Sequence, residues 1–310
     1  APPAVVSIFL GDELGAILES IENGTAYDAK EKVQMKVGVH TLPRIPKDTT
    51  DRNRTSPLAF TGNKFEFRML GSSQSVAEPN IALNTIMAEE LRKFADVLEN
   101  AEDFDKALHE LVCQAFTNHQ RIIFDGNGYS EEWKAEAARR GLSNYPSTAE
   151  CLSHYVTEKN IELVTSHGIF TETEFRARHA IHVEAYNKVV NIEGKTMVDM
   201  ALHQILPASL RYSRDLCDTA KAKKEMGATC RAESALISRL SESTDALYDS
   251  IITLQDALES VPAGTEAASM HYRDAVVPAM DILRIHADKL EALTDKSYWP
   301  YPTYSDLLFY

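Results

Sequence analysis

Three charged residues alternate with two phenylalanines in one short segment of the chain. Lys64, Glu66 and Arg68 occupy every second position, and Phe65 and Phe67 lie between them. Because successive side chains of a strand point to opposite faces, a strand here places the three charges on one face and the two rings on the other, where they anchor it in a core. A carboxylate between two cations suits a site for a metal ion and a phosphate together. On the pattern alone, a solvent-exposed face held by salt bridges is the simpler interpretation.

Two other motifs have weaker claims to chemistry. His179 and His182 stand three residues apart with Glu184 nearby, a spacing that could ligate a metal ion from one helix. No third ligand follows at helical spacing, so an ordinary polar helix face is the better interpretation. The Gly126–Gly128 run resembles a phosphate-binding loop, but it lacks the lysine and the fuller glycine pattern, which favours a turn.

The strand segment belongs to a part of the chain that differs in texture from the rest. Residues 1–80 hold short β-prone runs separated by Gly, Pro and Asn-Gly signals, whereas residues 81–310 have helical periodicity. In the first part we predict strands at Val5–Phe9, Val33–His40 and Lys64–Met69 and a short helix at Leu14–Glu22. The sequence therefore predicts an α+β fold with two regions, 1–80 and 81–310.

The helical region has recognisable starts and stops. Pro79 begins one helix, Phe104–His119 forms a second, and Ser130 caps a third that ends at Gly141. Pro207 and Pro278 fall inside helical patterns, where we expect kinks or local breaks. Four long amphipathic helices, separated at Gly194, Gly227 and Pro262–Gly264, predict an antiparallel bundle: Thr173–Val190, Thr196–Met226, Ala232–Val261 and Glu266–Asp295.

Composition excludes several classes of protein. With 32 Lys and Arg against 46 Asp and Glu, the 310-residue chain has a net charge of −14, which disfavours nucleic-acid binding by the whole surface. No apolar run approaches the ~20 residues of a membrane span. Four widely spaced cysteines are typical of a reduced, cytoplasmic protein. The chain begins at Ala1 without Met and enters a β-prone stretch at once, so we expect it to come from a longer parent.

Several motifs together resemble one enzyme family. Asn53-Arg54-Thr55-Ser56, the charged segment Lys64–Arg68 and then Glu78–Leu83 are similar in order and type to the catalytic domain of glutamine synthetases. The resemblance is to the large type III branch, covers essentially the whole chain, and extends to three further segments: Ala1–Pro3, Gly126–Trp133 and Trp299–Tyr304. It implies that residues 1–80 contribute a few strands of the active-site sheet, followed by the helical C-terminal region of the catalytic domain.

The resemblance also implies roles for four residues. Glu66 would ligate the divalent metal, Mg²⁺ or Mn²⁺, that bridges the phosphates of ATP, and Arg68 would hold the glutamate substrate or its phosphorylated form. Arg54 would bind ATP and stabilise the phosphoryl group in transfer. Lys64 stands where other branches have an Arg that contacts ATP phosphates, so the charge is kept but the bidentate geometry is lost.

Two departures from the family pattern stand out. The family's second phosphate-binding Arg falls on Ala59 here, and residues 10–50 form an insertion relative to the shorter branches. The implied activity is ATP-dependent ligation of ammonia to L-glutamate through γ-glutamyl phosphate, in a cytoplasmic, ring-shaped homo-oligomer.

We expect this chain to supply only part of the active site and to be inactive alone. Two alternatives remain open. One is a non-catalytic helical interaction or scaffold protein derived from that fold, and the other is a related carboxylate–amine ligase.

Overall fold

A computed structural model of the chain describes residues 5–27, 34–35, 45–46, 55–61, 63–68 and 75–308. Its strands are β1 (Ile8–Phe9), β2 (Gln34–Met35), β3 (Ile45–Pro46), β4 (Leu58–Phe60) and β5 (Phe65–Phe67). Its α-helices are α1 (Gly11–Glu22), α2 (Ala77–Leu98), α3 (Phe104–His119), α4 (Glu131–Arg139), α5 (Thr148–Ser153), α6 (Glu158–Ser166), α7 (Glu172–Met200), α8 (Leu206–Glu225), α9 (Arg231–Glu259), α10 (Thr265–His271), α11 (Val277–Leu293) and α12 (Tyr304–Leu308). The α+β fold class is confirmed.

The chain divides into two compact units. The first comprises Ala1–Pro146 with Glu158–Thr171, and the second comprises Ser147–Thr157 with Glu172–Tyr310. The first unit contains the described strands with α1–α4 and α6, and the second contains α5 and α7–α12. The sequence-based division into 1–80 and 81–310 separates β-prone from helical sequence and stays a prediction.

The strand that carries the charged residues lies in a three-stranded sheet of order β1-β4-β5. β1 pairs with β4 in parallel, and β4 pairs with β5 antiparallel. The sequence analysis missed β4. The strand has only three residues, follows Pro57 directly, and shows no clear alternation of polar and apolar side chains. It also predicted β1 and β5 to be longer than they are: β1 has two residues and β5 has three.

A buried tryptophan connects β1 with the helices of the first unit. Trp133 is fully buried, and its ring stacks on Phe124 at 4.1 Å between centroids. Its indole Nε1 donates a hydrogen bond to the carbonyl oxygen of Val5 at 3.1 Å, and the guanidinium of Arg140 lies 5.3 Å from the ring centroid. The ring therefore fixes the start of the sheet through both packing and a satisfied polar atom. Ser130 caps α4 as predicted, accepting from the Trp133 backbone N–H.

The second unit contains three long helical segments rather than the four predicted. One segment runs from α7 through α8, the second is α9, and the third runs from α10 through α11. Neighbouring segments run antiparallel, because Lys223 contacts Glu233 at one end of α9 and the Ala257 carbonyl contacts His271 at the other. α9 lies at the centre, with four side chains that have no exposed surface: Leu240, Leu247, Ile251 and Leu254.

The predicted break at Gly194 is wrong, because α7 continues through it. A Cβ at this position would lie 3.1 Å from Leu258 Cδ2 and 3.5 Å from Val276 Cγ1. The glycine therefore serves the close approach of two helices to α7 and not a turn. The predicted breaks at Gly227 and Gly264 are confirmed, and both glycines have positive φ, at 70° and 100°.

Just before each of the two prolines inside helices, a π-helical turn interrupts the α-helical hydrogen bonding without ending the helical segment. The turns comprise Ala201–Ile205 and Tyr272–Val276. Pro207 and Pro278 each follow two residues later. Proline lacks an N–H donor, and its ring crowds the carbonyl four residues earlier, which here lies inside the widened turn. The wider turn lets both segments continue past a proline.

Candidate active site

The three charged side chains of the β5 segment converge, as the alternation predicts. The Glu66 carboxylate lies 3.5 Å from Lys64 Nζ through Oε1 and 3.1 Å from Arg68 Nη2 through Oε2. Exposure falls along the segment: the Lys64 side chain is 66% exposed, that of Glu66 39% and that of Arg68 15%. Arg68 is thus held inside the fold, whereas Lys64 reaches toward solvent. One carboxylate with a cation at each oxygen forms the centre of the candidate site.

The neighbouring strand supports this face at two points. Glu66 lies directly opposite Ala59 of β4, so their side chains share one face of the sheet. Ala59 is fully buried. Thr61, at the end of β4, donates from Oγ1 to Glu66 Oε1 at 3.3 Å. The position where the resemblance has an arginine therefore lies beside the carboxylate and is enclosed by its neighbours.

The opposite face of β5 differs from the expectation. Phe65 was predicted to anchor the strand in a core, but it is 54% exposed. Its ring packs on Phe60 at 5.2 Å between centroids, and Phe67 is half-buried. The strand is instead fixed by backbone hydrogen bonds, which include that from the Arg68 N–H to the Pro57 carbonyl at 2.8 Å.

The electrostatics of the face favour a charged carboxylate. The hydrogen bonds from Arg68 lower the pKa of the Glu66 carboxyl below its ordinary value of 4.5, and the nearby charges of Arg68 and Lys64 act in the same direction. An ionised carboxylate is the form that ligates a hard divalent cation. Oε2 accepts from Arg68 Nε and Nη2, and Oε1 accepts from Thr61 beside Lys64, so a metal ion would bind in place of one of these contacts. The donor set fits one ligand of such a metal ion, flanked by groups that can bind phosphate.

Comparison with known proteins relates this geometry to a family. A type-3 glutamine synthetase of Dictyostelium discoideum is 37% identical over 320 residues, covering 100% of this chain and 44% of the relative. A glutamine synthetase of Butyrivibrio fibrisolvens is 36% identical over 319 residues, covering 100% of this chain and 45% of the relative. A glutamine synthetase of Bacteroides fragilis (strain YCH46) is 36% identical over 324 residues, with coverage of 100% and 44%. The chain is related to the glutamine synthetases.

The extent of this relationship differs between comparisons. The family model described as the glutamine synthetase C-terminal domain matches residues 107–224, from α3 through most of α8. The charged face of β5 lies outside that match but within the region aligned with the three glutamine synthetases. The chain spans less than half the length of these relatives. The resemblance to type III glutamine synthetases stated from the motifs is confirmed.

The other predicted site residues of this glutamine synthetase homologue have different outcomes. Arg54 lies outside the described residues. His179 is buried, with its ring 6.1 Å from that of Tyr155, and His182 meets the same tyrosine edge-on at 5.7 Å. Glu184 pairs with Lys188 at 2.8 Å. These contacts place the two histidines around an aromatic ring. Within the described part of the chain, no group of three or more His, Cys, Asp or Glu side chains could hold a metal ion.

Sequence reasoning missed a set of hydrogen bonds that holds β1 and the segment before β4 from one side. Asp125 Oδ1 accepts from the backbone N–H groups of Leu10 and Gly11 at 2.8 and 3.0 Å. The Gly128 N–H donates to the Thr55 carbonyl at 2.7 Å. The Asn127 side chain closes the predicted turn by accepting from the Tyr129 N–H at 3.1 Å. The glycines predict a turn, but nothing in the sequence predicts that its hydrogen-bond partner is Thr55, 73 positions earlier.

The described helices include none with both the length and the apolar character needed to cross a bilayer.

Proposed function

We propose that this chain is part of an enzyme that ligates ammonia to L-glutamate with the consumption of ATP. The observation that carries the proposal is the convergence of Lys64 and Arg68 on the Glu66 carboxylate, in a chain related to glutamine synthetases. Two cations converge on this one carboxylate, and the Lys64 ammonium, on a side chain that is 66% exposed, is the one placed to meet a further anion from solvent. That anion is a phosphate of ATP or the phosphate transferred to glutamate.

The proposed reaction has two steps. An oxygen of the glutamate side-chain carboxylate attacks the terminal phosphorus of ATP, which gives γ-glutamyl phosphate and ADP. The nitrogen of ammonia then attacks the acyl carbon, and phosphate leaves with the oxygen that glutamate supplied. In this scheme Arg54 stabilises charge on the phosphoryl group, Lys64 binds ATP phosphates, and Arg68 orients glutamate or its phosphorylated form.

The proposal assigns one metal ligand to this chain. Glu66 would hold Mg²⁺ or Mn²⁺, which would supply charge neutralisation at the phosphates when bound. The chain's own groups keep that carboxylate ionised and oriented, since Arg68 and Thr61 hydrogen bond to it. In the proposal further ligands come from beyond this face, and the chain supplies only part of the active site of a cytoplasmic, ring-shaped homo-oligomer.

The test is ATP- and metal-dependent glutamine formation by the full-length protein carrying Glu66→Gln. The amide keeps the shape of the side chain but removes the charge, so we expect turnover to fall by about 100-fold or more and the metal concentration needed for half-maximal rate to rise. The matched control is Glu110→Gln on α3, where an exposed carboxylate lies 3.9 Å from Lys106. Near-normal turnover of Glu66→Gln would remove this residue from the metal site.

A second candidate function rests on Ala59. The alanine at this position carries no charge and is fully buried beside Glu66, so the family's second phosphate-binding cation is not supplied here. A helical interaction protein in which the charged strand is a remnant would tolerate that loss. Binding of ATP to the full-length protein, measured by calorimetry with and without Mg²⁺, separates the two: the enzyme binds the nucleotide and the scaffold does not.

A further inference from the structure

The two oxygens of the Glu66 carboxylate are held in different ways. Oε2 accepts from both Nε and Nη2 of Arg68, at 3.3 and 3.1 Å, and the Arg68 side chain is only 15% exposed. Oε1 accepts from Thr61 Oγ1 at 3.3 Å and lies 3.5 Å from Lys64 Nζ. Because a carboxylate oxygen has about two acceptor sites, the guanidinium occupies those of Oε2, whereas Oε1 shares its sites between a neutral hydroxyl and an ammonium.

Of these contacts, the ammonium contact is the one that the carboxylate can give up most readily. The Lys64 side chain is 66% exposed, so water replaces the carboxylate around its ammonium when the pair separates. Release from Arg68 would instead break two charge-assisted hydrogen bonds of a mostly buried guanidinium. The Lys64 backbone is fixed, because its carbonyl accepts from the Thr61 N–H at 2.8 Å. A change of partner is therefore confined to the Lys64 side chain.

We propose that Lys64 exchanges partners when the site fills. Oε1 is the atom that Glu66 offers to a divalent metal, and the displaced ammonium of Lys64 then binds a phosphate of the nucleotide. The inference rests on the proposed function, in which Glu66 ligates the metal and Lys64 binds ATP phosphates. The Thr61 hydroxyl keeps its hydrogen bond throughout, since it is neutral and uses the other acceptor site of Oε1.

The exchange couples the binding of metal to the binding of phosphate. Two cations at one carboxylate oxygen repel each other, so Lys64 and the metal compete for Oε1 of Glu66. A phosphate that takes up the Lys64 ammonium removes this competition and raises the affinity of Glu66 for the metal. By linkage, the metal raises the affinity of Lys64 for the phosphate by the same factor.

Chemical labelling of lysine amines in the full-length protein follows the exchange at Lys64 itself. The protein is treated briefly with acetic anhydride, and acetylation of Lys64 is measured by peptide mass spectrometry without ligand, with Mg²⁺ alone, and with Mg²⁺ and ATP in the absence of glutamate. An ammonium held by a carboxylate reacts more slowly than one released to solvent. Mg²⁺ alone should therefore raise the labelling of Lys64 about two- to fivefold, and ATP should lower it again. The control is Lys106, which is 71% exposed and lies 3.9 Å from Glu110.

Metal affinity gives a second readout that does not depend on turnover. Binding of Mn²⁺ to the full-length protein without nucleotide is measured from the electron paramagnetic resonance signal of free Mn²⁺. Lys64→Met removes the competing charge and should tighten this binding about two- to fivefold, whereas Glu66→Gln should weaken it. Lys106→Met makes the same change of net charge on α3 and should have no effect.

Two results would overturn the exchange while leaving the proposed function intact. One is labelling of Lys64 that does not respond to Mg²⁺, and the other is Mn²⁺ binding that is no tighter in Lys64→Met, in either case with Glu66→Gln still weakening the binding of Mn²⁺. Failure of the proposed function is distinct, because then Glu66→Gln leaves the binding of Mn²⁺ unchanged, and the exchange is overturned with it.

Discussion

At the scale of residues, the candidate site is a carboxylate shared by two cations of unequal exposure. Arg68 is held in the fold and orders Glu66, whereas Lys64 is largely in solvent. In the proposed function, Glu66 is the ordered metal ligand and Lys64 the adaptable contact for a phosphate. The low exposure of Arg68 distinguishes the face from a surface salt bridge, in which both partners are mobile and contribute little.

Ala59 provides the first prediction. Restoring the arginine of the family pattern by Ala59→Arg should lower stability by about 2 kcal/mol or more, because the side chain has no exposed surface and a guanidinium would be forced into a closed space. It should not raise turnover. Urea unfolding measures the loss, with Ala82→Arg at an exposed position of α2 as the control. A stable Ala59→Arg variant with higher activity would mean that the space at β4 is open.

A second prediction concerns pH. Hydrogen bonds from Arg139 and Arg140 lower the pKa of the Glu136 carboxyl from 4.5 to about 2. Since the folded state binds this proton less readily than the unfolded state, the stability that the charged carboxylate contributes is present above about pH 4.5 and is lost as pH falls toward 2. Glu136→Gln should therefore lower the melting temperature at neutral pH and flatten its decline between these two values.

Scanning calorimetry across that pH range measures the effect. Glu131→Gln on the same helix, at a side chain 82% exposed, is the control. An unchanged pH profile of Glu136→Gln would show that the contacts with the two arginines do not stabilise the fold.

At the scale of elements, close approach and long-range hydrogen bonding decide what local patterns leave open. The alternation in Lys64–Arg68 predicted the charged face, because which side chains share a face is decided within a single strand. The break predicted at Gly194 was wrong because this glycine makes room for Leu258, which is 64 positions away in the sequence. The turn at Gly126–Gly128 was predicted, but its bond to Thr55 was not, since the pairing of a loop with a distant carbonyl leaves no periodic signal.

The packing of α7 gives a third prediction. Gly194→Leu should destabilise the helical unit by about 1–3 kcal/mol, because the added side chain must displace Leu258 and Val276 from the buried contact with α7. Lys195→Leu, at the exposed neighbouring position, adds the same side chain outside the contact and serves as the control. Denaturant unfolding followed by circular dichroism measures both. Equal stability of the two variants would contradict the close approach at Gly194.

At the scale of the whole molecule, the fold class followed from composition and periodicity, and the family followed from ordered motifs. The α+β class was predictable because both β-prone and helical textures occur in the sequence. The burial of Ala59 opposite Glu66 was not, because it depends on the pairing of β4 with β5, and β4 has no strong pattern of its own. The net charge of −14 disfavoured polyanion binding by the surface, yet one strand gathers cations around a carboxylate.

The central claim is that this chain serves phosphoryl transfer to the side-chain carboxylate of glutamate. The most direct test supplies the full-length protein with glutamate labelled with heavy oxygen in that carboxylate, together with ATP, Mg²⁺ and ammonia, and analyses the phosphate by mass spectrometry. We predict that each phosphate released carries one labelled oxygen, and that Glu66→Gln suppresses its formation. Phosphate without label, released at a rate independent of glutamate, would contradict the account.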